Sequence, residues 1–228
     1  SASYKGTMTR YSFLSRLLRF LMGAWMLIPV LCAANSAGAT ITYRRVFKGS
    51  NPEFIEIKVS DQGKGTFDIR QLDEDADPQV FDVGPEVQRK IFELASDLNH
   101  FANQSLDIQK KIANLGQKTF RYESGAEVHE ASFNYTMNTS AAQLMQMFEG
   151  LARQQQDLTT LERRAKFDRL GVNDALMQFE SDMEHRLLPE PERLLPVLDQ
   201  ISGDSHFVEI ARSRARALAE RIRNSQGH

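Results

Sequence analysis

The chain has 228 residues, of which 28 are basic, 30 are acidic and one is a cysteine, and its formal net charge is −2. This mild acidity argues against nucleic acid as the main partner, and a single cysteine excludes an intrachain disulfide. A chain of this length must therefore rely on an ordinary packed core, and it is long enough for one domain with an extension.

Residues 1–39 have the order of an export signal. A basic leader is followed by an apolar run from Phe20 to Ala34 and then by the small residues Ala37, Gly38 and Ala39. This order is typical of a secretory signal peptide, and the run is shorter than the roughly 20 residues of a membrane span. We predict cleavage near Ala39 and no transmembrane helix in the mature chain, with a retained anchor as the alternative.

Export would place the mature protein in the periplasm or outside the cell. The leader holds four basic residues and no acid, so its removal would leave 24 basic and 30 acidic residues, a formal charge of −6. Cys32 would leave as well. An exported chain without cysteine fits a bacterial periplasm or exterior better than a eukaryotic secreted domain.

A first strand–turn–strand–helix unit is predicted from Phe54 to Phe101. Ile55, Ile57 and Val59 alternate with polar residues, and Phe67 and Ile69 alternate in the same way after a glycine-containing turn. Side chains of a strand point to opposite faces with period two, so this pattern predicts a hairpin with one apolar and one solvated face.

The helix of this unit is predicted to begin at Pro85, because proline suits a first helical position. Its apolar stripe consists of Ile91, Leu94, Leu98 and Phe101. Spacing of three and four residues places these side chains on one face, which can cover the apolar face of the hairpin. Residues 40–48 are expected to add an edge strand.

A second unit of the same kind is predicted after a short helix over residues 103–117. In that helix Leu106, Ile112 and Leu115 would face inward. The second hairpin would turn at Ser124-Gly125, placing Tyr122 opposite Glu127 and Phe120 opposite His129. A three-residue loop would flip one strand relative to the other.

The second long helix is predicted from Thr139 or Ser140 to Phe167, and the remainder of the chain has helical periodicity. Its interior Gly150 costs roughly 1 kcal/mol relative to alanine. We therefore predict an α+β domain over residues 40–153, an antiparallel sheet of two ββα units with helices on one face. An all-helical C-terminal region follows over residues 154–228.

One polar site stands out, at His129 with Glu127 or Glu130 as its partner. It would be a ligand or proton-transfer site, but a half-buried histidine at a strand edge explains the same pattern. Structural zinc sites use four ligands, and no second histidine lies at metal spacing. The Asp73–Pro78 segment lacks the glycine and glutamate of a calcium loop. We expect no metal and no cofactor.

Catalytic motifs give no enzyme class, because the sequence has no G-x-S-x-G, H-E-x-x-H, P-loop or G-x-G-x-x-G. Hydrolysis by paired carboxylates needs only two acids and leaves no local motif. Glu56, Asp68, Glu127 and Glu130 are the candidates for such a pair. Alternating acids are also usual on the solvated face of an antiparallel sheet.

The runs YRRVFKGSNPEFIEIKV, DIRQLDED and KFDRLGVNDAL together resemble a group of uncharacterised exported bacterial proteins. The resemblance implies export and a non-catalytic role, and it implies no catalytic residue. We therefore expect an exported interaction module that binds another protein or an envelope component. The alternatives are a secreted hydrolase with paired carboxylates and a structural component of the envelope.

Overall fold

A computed structural model of the protein describes residues 38–108 and 110–225. Within these residues six strands form one antiparallel sheet in the order β4-β3-β2-β1-β5-β6. The strands are β1 (Thr40–Val46), β2 (Phe54–Ser60), β3 (Lys64–Arg70), β4 (Gln79–Asp82), β5 (Gln117–Ser124) and β6 (Glu127–Phe133). The predicted signal peptide lies almost wholly outside the described residues.

Strand β1 lies in the middle of the sheet, so the prediction of an edge strand is wrong. Tyr43 is paired with Ile57 of β2 on one side and with Phe120 of β5 on the other. Its hydroxyl donates to Oε1 of Glu149, and Arg45 Nη1 lies 3.0 Å from Oε2 of the same carboxylate. Burial is the main cause that raises the pKa of Tyr43 well above its usual value. Arg45, on the same face as Tyr43, is thus paired with a carboxylate of the helix-covered side.

Both predicted hairpins are present, and the first has Ile55, Ile57 and Val59 buried. In the second, Tyr122 lies opposite His129 and not opposite Glu127, because the turn is formed by Gly125 and Ala126. A shift of two residues leaves every side chain on its predicted face.

The described residues of the 103–117 segment form no helix, which corrects the prediction. Only Leu106 of the expected stripe is buried, while Ile112 and Leu115 are 39% and 44% exposed. Asp107 helps to hold the segment in a non-helical conformation, because its Oδ1 accepts hydrogen bonds of 3.1 Å from the backbone N–H groups of Asn134 and Tyr135. The segment is therefore held along the chain that directly follows β6, in place of local helical bonds.

Five α-helices lie within the described residues, and the last four follow the sheet without further strands. They are α1 (Pro85–Asp97), α2 (Thr139–Phe167), α3 (Val172–Glu184), α4 (Leu195–Gly203) and α5 (Glu209–Ser225). Asn138 caps α2 by accepting a 3.0 Å hydrogen bond from the N–H of Ala141. The apolar stripes of α1 and α2 cover one face of the sheet, which confirms the predicted α+β fold.

The predicted boundary between residues 153 and 154 falls inside α2, which is continuous over 29 residues. Buried residues up to Ala152 belong to the core under the sheet, and those from Leu161 onward belong to a second core among α2–α5. The division into two domains stays a prediction.

Candidate functional site

The predicted polar site is only partly brought together. His129 Nδ1 lies 3.5 Å from Oε1 of Glu127, at the helix-covered side of β6. Glu130 points to the opposite, open face, where it lies 3.6 Å from Arg121 Nη1. His129 Nδ1 is buried and makes no well-aligned hydrogen bond there. A role for these residues stays a prediction.

A second histidine, which the sequence did not single out, lies beside the first. The ring of Tyr122 stacks on His100 at a centroid distance of 4.3 Å and on His129 at 6.4 Å. Asn99, His100 and Phe101 all have left-handed backbone angles, with φ of 50°, 48° and 68°. Such angles cost roughly 1–2 kcal/mol per residue outside glycine, so the surrounding packing must hold this turn.

Two of the predicted carboxylates, Glu56 and Asp68, are paired with arginines on the open face of the sheet. Glu56 is the direct cross-strand partner of Asp68. Arg44 Nη2 lies 2.6 Å from Glu56, and Arg70 Nε lies 3.0 Å from Asp68. Each acid therefore has its own arginine. Such a ladder of opposite charges is common on the open face of an antiparallel sheet, and here Asp68 is only 8% exposed.

The structure instead brings together a carboxyl pair between α2 and α3. Asp157 and Asp182 are 8% and 3% exposed and line a pocket of about 250 Å³. Gln178 Nε2 donates to Asp182 at 3.2 Å, and Arg153 Nη1 lies 3.3 Å from it. Burial and the neighbouring charge of Asp182 raise the pKa of Asp157 to about 7. The Asp157 carboxyl therefore keeps its proton up to near neutral pH.

A larger groove runs between the edge of the sheet at β4 and helix α2, with a volume of about 650 Å³. Phe67, Phe81 and Leu158 give it apolar surface, and Asp77 and Glu162 are among its charged residues. The remaining lining residues are Gln79, Val80, Asp82, Gln155, Thr159 and Arg193. The groove therefore combines apolar surface with acidic groups.

A buried contact holds the two sides of this groove together. The N–H of Gly84, which follows β4 closely, donates to Oε1 of Glu190 at 2.6 Å. The N–H of Glu190 donates to Oε1 of Gln154 on α2 at 2.8 Å. Burial is the main cause that raises the pKa of Glu190, and Arg193 lies 3.7 Å from it. The sheet edge is thus fixed relative to α2.

Comparison with known proteins adds no family to these observations. Neither a protein-family model nor a curated protein matches this chain. The resemblance to exported bacterial proteins therefore stays a prediction. In the part of the chain that the structure describes, none of the helices combines the length and apolarity needed to cross a bilayer.

Sequence reasoning missed the groove and the Asp157–Asp182 pair. The segment between Leu72 and Gly84, for which no strand was predicted, contains β4, which is only four residues long. For the pair, a local signal did exist. Asp157 lies three residues after Gln154 and four before Leu161, so a carboxylate occupies the buried face of a helix.

Proposed function

We propose that the protein is an exported, non-catalytic module that binds another protein through the groove between β4 and α2. The groove is the observation that carries this proposal. It offers aromatic and aliphatic surface beside polar groups, which is the composition expected of a recognition site. The predicted order of basic, apolar and small residues in the leader supports export.

Export gives the first expected result. Cleavage after Ala39 would fall directly before β1, which begins at Thr40. N-terminal sequencing of the exported protein is therefore expected to start at or within a few residues of Thr40. A sequence that still contains the apolar run from Phe20 would contradict cleavage and favour a retained anchor.

Binding in the groove can be tested by filling it from an exposed position. Thr159 is exposed on α2 and lines the groove. Thr159→Trp adds a large ring there without entering either core. Dodecapeptides selected from a phage-displayed random library on the wild-type protein are expected to bind this variant at least tenfold more weakly, by fluorescence anisotropy.

Met137→Trp is the matched control, because it adds the same ring at an exposed site outside the groove. The selected peptides are expected to bind this control as they bind the wild type. If Thr159→Trp binds every selected peptide with unchanged affinity, the groove is not the binding site and the proposal fails.

A hydrolase with paired carboxylates is the second candidate, and the Asp157–Asp182 pair is the observation that favours it. Hydrolysis by paired carboxylates needs two acids near each other, and Asp157 and Asp182 line the same pocket. Peptide or glycan hydrolysis that is lost in Asp182→Asn, together with no peptide binding in the groove, would reverse the order of the two candidates.

A further inference from the structure

Strand β4 is an edge of the sheet. In the described residues its recorded partner is β3, with Gly65 opposite Phe81 and Thr66 opposite Val80. The backbone N–H and C=O groups on the other side of an edge strand are free to pair with a further chain. Val80 is 83% exposed on this edge. Backbone donors and acceptors thus lie beside the groove.

The groove follows this edge on the α2 side, and a second cavity follows it on the open face. That cavity has a volume of about 490 Å³ and includes Val80 and Asp82 together with Lys58 and Lys64. An extended chain points successive side chains to opposite faces. A strand added beside β4 would therefore direct alternate side chains toward the two cavities.

The charges on the two sides differ. On the α2 side, Asp77 and Glu162 line the groove, and Arg193 is the base among its lining residues. Arg193 lies 3.7 Å from the buried Glu190. Four exposed acids, Asp73, Glu74, Asp75 and Asp77, precede β4. Basic side chains are therefore favoured at the positions that face α2.

On the open face the lysines already have partners. Lys64 Nζ lies 2.6 Å from Asp82, and Lys58 Nζ lies 3.9 Å from Glu123. Positions that face this cavity are therefore suited to small or apolar side chains. A second copy of the chain is disfavoured as the added strand, because its own acidic β4 region would meet these acids.

We propose that the partner segment is an extended, basic stretch of another protein that adds to the sheet beside β4. Its alternate residues would be basic toward α2 and apolar toward the open face. This inference rests on the proposed binding function and specifies the partner and the mode of binding. Strand addition supplies affinity through main-chain hydrogen bonds, and alternate side chains supply specificity.

The probe is a fluorescein-labelled ten-residue peptide of alternating valine and lysine, measured by anisotropy. We expect it to bind, with an affinity that falls as salt rises, and we expect a valine–glutamate peptide to bind at least tenfold more weakly. The double variant Asp77→Asn with Glu162→Gln is expected to bind the valine–lysine peptide at least fivefold more weakly than the wild type does. Asp97→Asn with Glu220→Gln, both on exposed residues elsewhere, removes the same charge and is the control.

Backbone pairing is tested with the same peptide N-methylated either at all valines or at all lysines. Only alternate N–H groups of an added strand face β4, so one of the two series is expected to lose binding. Unchanged binding of both series, or equal binding of the glutamate peptide, overturns the inference. If library peptides depend on Thr159 but the valine–lysine peptide does not bind, this inference fails while the proposed function stands.

Discussion

The wild-type protein is expected to lose stability as pH rises from about 4 to 7, and Asp157→Asn is expected to abolish this loss. The pKa of Asp157 is raised from 3.8 to about 7 in the folded protein. Between these values the unfolded chain has released the proton while the folded protein keeps it, so stability falls with rising pH. A pKa shift of this size corresponds to about 4 kcal/mol of unfolding free energy, and this contribution is fully lost above pH 7.

Asparagine is neutral, has a similar shape and can donate a hydrogen bond to Asp182. Urea unfolding between pH 4 and pH 8 should therefore show that the free energy of unfolding of the variant increases relative to that of the wild type as pH rises. Asp97→Asn, at an exposed position near the end of α1, is the control and should follow the wild type. Parallel curves for wild type and Asp157→Asn would contradict the raised pKa of Asp157.

Gly150→Ala is expected to lower the free energy of unfolding by about 1–2 kcal/mol, although alanine is the better helix former. A Cβ at this position would lie 2.7 Å from the backbone oxygen of Leu187 and 3.1 Å from Pro189 Cδ. Backbone atoms cannot move aside as a flexible side chain can. The segment before Glu190 must therefore shift, and the contact with Gly84 shifts with it.

Gly203→Ala is the matched control, because a Cβ at the end of α4 meets no atom within 4 Å. It should leave stability unchanged or raise it slightly. Chemical denaturation of the three proteins measures the difference. A Gly150→Ala protein as stable as the wild type would show that the 187–190 segment is loosely held against α2.

The sheet core and the two covering stripes could be predicted because each depends on local periodicity. Ile55, Ile57 and Val59 alternate, and Ile91, Leu94 and Leu98 recur at helical spacing, so their faces follow from geometry. Strand order does not follow in this way. The central place of β1 depends on pairing between Tyr43 and the distant Phe120, which leaves no local pattern.

The candidate sites were harder to predict for the same reason. His129 and Glu127 share a strand face, so period two was enough to bring them together. Asp157 and Asp182 lie on different helices, and the sequence does not say which faces of α2 and α3 meet. The groove joins a four-residue strand to a helix far along the chain, so its residues share no spacing.

The most direct test of the proposed function is hydrogen–deuterium exchange of the full chain with and without a library-selected peptide. Binding beside β4 should slow exchange of backbone amides in Gln79–Asp82 and of those on α2 that border the groove. Exchange in α5, on the far side of the second core, should not change. Protection confined to other elements, with β4 unaffected, would contradict the proposed site.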